Sequence, residues 1–223
     1  MDVAIFDLDG TLVDTAPDII DALNRTLSDM GLAPLDDETG RSFIGGGARK
    51  LVSRALTASN VTREPEINVD DAYSRFIIYY TEKCADRSTL YPDVIETLEM
   101  LAEEEIAMGV CTNKPQALSL DVLSAFGLKK FFRAVVGGDV LPEQKPAARH
   151  LLETVGRTAT ACRCAAMIGD SSTDVAAARN ANIPVVVVNY GYTTIAPADL
   201  GADAVISNLR ELPSLIPTFW KSA

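Results

Sequence analysis

Histidine is almost absent from this chain: His150 is the only one among 223 residues. A protein this poor in imidazole has little scope for histidine-activated nucleophiles or a histidine-rich zinc site. Cysteine is scarce as well. Cys162 and Cys164 flank Arg163, but Cys84 and Cys111 stand alone, and no second Cys or His pair completes a metal set. The four read as free structural thiols of a reducing compartment. Positive charge is also short, with 20 Lys and Arg against 31 Asp and Glu and a formal net charge of −11. That balance argues against a general nucleic-acid or anionic-membrane binder. It does not exclude a small anionic substrate, because a local cluster of lysine, amides and metal can outweigh the global field. No apolar stretch exceeds strand length, so no transmembrane helix is expected. The N-terminus reads as a strand bearing Asp7 and Asp9, not as a basic region followed by an apolar one, so it does not read as a signal peptide. The expectation is a cytoplasmic protein, monomer or homodimer, without nucleic-acid or membrane partners.

What the chain has in plenty is apolar surface, at 48% hydrophobic residues, enough for one α/β domain or for a core with a smaller insertion. Val3 to Phe6 is a short apolar run stopped at Gly10. It predicts a buried strand ending in a tight turn. Thr15 can cap a helix that carries Pro17 and Asp18 in its first turn and ends near Gly31. Further helical patterns follow at 36–43, around Leu51 to Leu56, and along Tyr73, Phe76, Ile77 and Tyr80, with a polar loop at 57–68. From Asp86 strand and helix alternate. Strands are expected at 106–111, 134–136, 164–168, 185–188 and 204–206, with helices after Pro92 and at 116–126, 146–155, 175–181 and 209–215. This order predicts a Rossmann-like three-layer core with a parallel sheet, and a helical cap inserted after the first strand. Residues 1–14 and 86–223 would form the core and 15–85 the cap.

In such sheets ligands bind beyond the C-terminal strand ends, near the topological switch point. The polar residues at those ends are therefore informative. The first strand ends in Asp7-Leu8-Asp9-Gly10, and two carboxylates that close repel unless a cation lies between them. The 106–111 strand ends in Thr112-Asn113, Lys145-Pro146 precedes a later helix, and the 164–168 strand ends in Gly169-Asp170-Ser171 with Asp174 beyond. A carboxylate pair, a hydroxyl, a lysine and a second acidic group are the parts of metal-assisted phosphoryl transfer.

These motifs, Asp7-x-Asp9-Gly10-Thr11, Thr112-Asn113, Lys145-Pro146 and Gly169-Asp170 with Asp174, resemble the haloacid dehalogenase superfamily in its phosphatase branch. The phosphoglycolate phosphatases are the most similar group, through Leu8 to Asp18, Phe43 to Ala48, Leu51 to Leu56 and Tyr190-Gly191-Tyr192. Two departures stand out: Gly46 where Asn is expected, and Ala147-Ala148 where a second proline is common.

The resemblance implies a Mg²⁺-dependent phosphomonoester hydrolase acting through an aspartyl-phosphate, with 2-phosphoglycolate as substrate. The alternatives are a sugar phosphate, a nucleotide, pyrophosphate, or a sugar phosphomutase. It makes Asp7 the nucleophile and Asp9 the acid/base. Thr112, Asn113, Gly10 and Lys145 would hold the phosphoryl group. Asp7, the Asp9 carbonyl and Asp170 would hold Mg²⁺, supported by Ser171 and Asp174. Gly45, Gly46, Gly47 and Arg49 would touch substrate from the cap. Lys50 and Lys114 are read as ordinary charged residues, the Tyr73–Tyr80 stripe as packing, and His150 as structural.

Overall fold

Strand β1 (Asp2–Phe6) is the hydrophobic centre of the molecule, and Val3 to Phe6 are fully buried. The computed structural model describes residues 2–59 and 68–220. A two-residue strand β2 (Val13–Asp14) follows, then helices α1 (Ala16–Asp29), α2 (Asp37–Ser42), α3 (Ala48–Ser59) and α4 (Val69–Glu82). The chain returns through β3 (Thr89–Leu90), α5 (Val94–Glu103), β4 (Ala107–Cys111), α6 (Gln116–Ala125) and β5 (Phe132–Val136). It continues as α7 (Ala148–Thr158), β6 (Cys164–Gly169), α8 (Ser172–Ala181), β7 (Val185–Val188), β8 (Ala204–Ile206) and α9 (Leu212–Trp220).

The main sheet has six strands in the order β5-β4-β1-β6-β7-β8, and every pairing is parallel. Side chains alternate across it, so each strand supplies two cores. Ala4, Phe6, Met108, Val110 and Ile168 face one side, under Leu98 of α5, Leu123 of α6 and Leu212 of α9. Val3, Ile5, Met167, Val185 and Val187 face the other, under Leu151 of α7 and Val175 of α8. Each such side chain contributes about 1.5–3 kcal/mol by leaving water. Strand order reverses at β1, whose neighbours are β4 and β6, and this is the switch point. Residues just past β1, β4 and β6 therefore share one crevice.

Helices α1, α3 and α4 pack around a third core of Leu23, Leu27, Leu51, Val52, Phe76 and Tyr80, which also takes in Leu118 of α6. The two passages between this helical insertion and the sheet are joined as a small antiparallel ribbon, Val13 opposite Leu90 and Asp14 opposite Thr89. Buried Asp18 ties the returning passage down, accepting from the Arg87 N–H (2.9 and 3.0 Å), the Ser88 N–H (2.8 Å) and the Ser88 hydroxyl (2.5 Å).

Several expected boundaries move. The helix expected at 146–155 starts at Ala148 and runs through Gly156 to Thr158. Pro146 stays in the turn closed by the Ala147 N–H on the Gln144 carbonyl (2.9 Å). Gly156 does not stop the helix: buried Val155 and Thr158 keep its face packed on either side, which outweighs the ~1 kcal/mol that a helical glycine costs. The last helix extends to Trp220 after a 3₁₀ turn at Leu209–Glu211. The strand expected at 134–136 begins at Phe132, whose ring packs edge-on against Phe6. The loop expected at 57–68 lies mostly outside the described residues.

Candidate active site

Asp7 leaves β1 with its N–H still donating to the Ile168 carbonyl (2.9 Å), so the backbone is held by the neighbouring strand end. Its Oδ1 accepts from the Leu8 N–H (2.7 Å) and its Oδ2 lies 3.0 Å from Lys145 Nζ. The same ammonium donates to Asp174 Oδ1 (2.6 Å), and the Lys145 side chain is only 1% exposed. Asp174 Oδ2 in turn accepts from the Ser171 hydroxyl (2.6 Å), the Ser171 N–H (3.1 Å) and the Asp170 N–H (3.3 Å). One lysine thus sits between two buried carboxylates, which together hold its charge and raise its pKa against the opposing effect of burial.

Asp170 completes the group. Oxygens of Asp7, Asp170 and Asp174 lie within 4.8 Å of one another, and all three residues are buried. Asp170 also accepts from the Tyr192 N–H (2.7 Å) and the Thr11 hydroxyl (3.4 Å). Burial pushes the Asp7 carboxyl up to about 7, with Lys145 opposing and Asp174 and Asp9 adding to the rise. Burial and the charges of Asp174 and Asp7 push Asp170 well above the carboxylate range. Three buried carboxylates this close can hold a cation, and an oxygen-only donor set suits a hard divalent ion. The residues present therefore fit a divalent metal. Gly10 allows this closeness: at φ +83° it turns the chain so tightly that a Cβ there would meet Asp170 Oδ2 at 2.5 Å.

Asp9 lies on the other side of the turn. Its Oδ1 accepts from Lys114 Nζ (2.9 Å) and from the Thr15 hydroxyl (2.6 Å). Thr15, expected to cap α1, makes no side-chain cap there, because its hydroxyl is committed to Asp9. The first amides of α1 are served instead by the Tyr192 hydroxyl, which accepts from Thr15 N (2.7 Å) and Ala16 N (3.1 Å) and also bonds Asp14 Oδ1 (2.7 Å). Asp14 meets Arg41 of α2 through both oxygens (3.0 and 3.2 Å). Burial alone would raise the Asp14 carboxyl, but the bonds from Arg41 and Tyr192 outweigh it and hold it low.

Lys114, expected to be an ordinary charged residue, and Tyr80, expected to be packing, both meet the site. Lys114 is buried and its ammonium also donates to the Tyr80 hydroxyl of α4. Its only local signal was its place directly after Thr112-Asn113. Tyr80 fell within an apolar helical stripe and does pack there, stacked on Phe76, but its hydroxyl reaches the core. Asn113 also spans the two layers, donating to the carbonyls of Lys145 (3.1 Å) and Gly45 (3.2 Å). His150 is structural as expected: its Nδ1 accepts from the Lys145 N–H (3.0 Å), and burial and the Lys145 charge depress its pKa to about 4.

A cavity of about 40 Å³ joins these groups. Asp7, Asp9, Thr112, Asn113 and Lys114 line it from the sheet side. Gly45, Gly47, Ile19, Ile44, Leu51, Phe76 and Tyr80 line it from the helical side. Gly46 turns away from it, toward a cleft beside Asp170 and Ser171. Arg49 is exposed, paired with Asp70, and 5.1 Å over the Tyr73 ring, so it borders a separate cleft.

The model of the haloacid dehalogenase-like hydrolases matches residues 4–188. A phosphoglycolate phosphatase of Agrobacterium fabrum is 41% identical over 210 residues, covering 94% of this chain and 90% of its own. One from Caulobacter vibrioides is 41% identical over 217 residues, covering 97% and 91%. Among solved structures, one described as a predicted phosphoglycolate phosphatase from Haemophilus somnus superposes with a TM-score of 0.90. It is 32% identical and covers 96% of this chain and 97% of that one.

Proposed function

This chain belongs to the haloacid dehalogenase-like hydrolase family and is a phosphatase, and from that premise we propose that it is a Mg²⁺-dependent hydrolase of 2-phosphoglycolate acting through an aspartyl-phosphate. The observation that carries the reading is the single buried group of Asp7, Lys145, Asp170 and Asp174 at the switch point.

In this reading an Asp7 oxygen attacks phosphorus and the ester oxygen leaves, taking a proton from Asp9. Water then attacks the aspartyl-phosphate, giving its proton to Asp9, and phosphate and free Asp7 are restored. Lys145, 3.0 Å from Asp7 Oδ2, orients the nucleophile and keeps positive charge beside the phosphoryl oxygens. Thr112 and Asn113 line the place where those oxygens sit. Thr15 and Lys114 both contact Oδ1 of Asp9, leaving Oδ2 to exchange the proton. Asp7 and Asp170, with the Asp9 carbonyl, would hold Mg²⁺, and Lys145 and Ser171 would position Asp174 behind them. A divalent cation there supplies charge neutralisation between anionic nucleophile and anionic phosphate.

Residues 15–85 act as a cap on a core of 1–14 and 86–223, hinged at the β2–β3 ribbon. Its closure over the site would exclude water and complete the cavity. The small cavity and the relatives' shared name support a two-carbon substrate over a sugar phosphate. The test is phosphate release across a panel of esters with Mg²⁺. Turnover is expected to be best on 2-phosphoglycolate and lost with EDTA. A kcat/KM for 2-phosphoglycolate no better than for generic esters would sink the substrate assignment.

A further inference from the structure

We propose that Lys114, aligned by Tyr80, is the subsite for the carboxylate of the substrate, and hence the residue that makes this cavity prefer a two-carbon ester bearing a carboxylate over an uncharged one. The proposal rests on the function proposed above and deepens it.

The cavity is hostile to a second negative charge. Asp7 and Asp9 already line it, and the helical wall is formed by Ile19, Ile44, Leu51 and Phe76. Among the described residues that line it, Lys114 alone is cationic. Among the described residues, this ammonium is the cavity group that can neutralise a carboxylate beyond the leaving oxygen, and an unpaired buried carboxylate would be costly. The position is right. Asp9, the proposed proton donor to the leaving oxygen, is 2.9 Å from Lys114 Nζ. In 2-phosphoglycolate the carboxyl carbon is two covalent bonds from that oxygen, so a group beside Asp9 is next to the carboxylate as well.

Lys114 has the capacity. An ammonium offers three donors, and Asp9 and the Tyr80 hydroxyl account for two of them. It is also pre-set. The Lys114 N–H donates to Thr112 Oγ1 (3.2 Å), and its carbonyl accepts from the Gly138 N–H (2.9 Å). The side chain is 2% exposed, and its Nζ lies 4.4 Å from the centroid of the Tyr80 ring. Little ordering is left to be done when a ligand arrives. Size points the same way: the cavity, about 40 Å³, is small and leaves little room for a bulky sugar beyond the leaving oxygen. The hydroxyls of a larger sugar would face the apolar wall without partners.

The test is a ratio. We would measure kcat/KM for 2-phosphoglycolate and for 2-hydroxyethyl phosphate, in which CH₂OH replaces the carboxylate, with the unaltered chain and with Lys114→Met. Both esters slow in the variant, because Asp9 loses a partner. The preference for 2-phosphoglycolate is expected to fall by a further tenfold or about that, mainly through KM. Lys114→Arg should recover part of it, and Tyr80→Phe should shift the ratio the same way by less. Equal slowing of both esters overturns the subsite while leaving the substrate reading intact. An unaltered chain with no preference between the esters overturns the substrate reading and the subsite with it. Should Lys114→Met not fold, product inhibition of the unaltered chain decides. Glycolate is expected to inhibit about tenfold better than ethylene glycol, and equal inhibition overturns the subsite.

Discussion

Asp7 and Asp9 are two residues apart and belong to differently built halves of one site. The Asp7 half is made from the sheet and the segments that follow it: Lys145 shortly before α7, Asp170 directly after β6 and Asp174 in the first turn of α8, all buried. The Asp9 half is shared. Lys114 comes from the end of β4, Thr15 from the entry to α1, and Tyr80 from α4 across the cavity. The difference teaches where the two tasks reside. On the proposed mechanism, the partners of the nucleophile sit on a scaffold that the helical insertion does not build, whereas the groups proposed to face the leaving alcohol are complete only with the insertion in place. Tyr192 links the halves, its N–H on Asp170 and its hydroxyl on Asp14 and the first amides of α1.

The comparison can be broken most severely at Asp7. Asp7→Asn should lower kcat by roughly 10⁴-fold or more with the thermal melt intact, since it removes one of three repelling carboxylates. Measurable turnover near the unaltered level would end the nucleophile assignment. Lys145→Met should cost about 3–5 kcal/mol of stability in denaturant titrations, because Asp7 and Asp174 are left buried without their cation. A small loss would mean that the Asp7 half does not depend on that ion network.

His150 sharpens the same half through pH. Its folded pKa of about 4 lies below the ordinary 6.5, so the unfolded chain takes up the proton first as pH falls. This contribution is fully present above pH 6.5 and is lost as pH falls toward 4. His150→Asn should flatten the stability profile over that window, and parallel profiles would refute the assignment. The smallest effect belongs to the link between halves. Tyr192→Phe should cost about 1–2 kcal/mol and raise KM more than it lowers kcat, as read by melting and steady-state kinetics.

How much of this was legible depends on the range of the signal. β1, the strand-end carboxylates and the alternation of strand and helix are local patterns, and the parallel sheet and its crevice follow from them. Asp7 and Asp170 were nameable from their positions at strand ends, whereas Lys145 and Asp174 took their roles from the resemblance of the ordered motifs, and the structure brings all four together. Gly156 misled because glycine ends a helix only where packing does not continue through it. Thr15 misled because a capping hydroxyl and a carboxylate partner look alike in sequence. Asp18 read as a helix-end charge, yet it clamps Arg87 and Ser88, some seventy positions away in the chain.

The sequence by itself determined the elements, the order of the layers and the identity of the acidic groups, because periodicity and strand ends are written within a few residues. Only the tertiary structure decided that Lys114 is buried beside Asp9, that Tyr80 turns its hydroxyl onto it, and that Arg49 faces away to Asp70. Those outcomes depend on how helices α1 to α4 rest on α6 and the sheet ends. A side chain's charge and polarity are fixed by its own formula, but what it meets is set by packing between segments far apart in the chain.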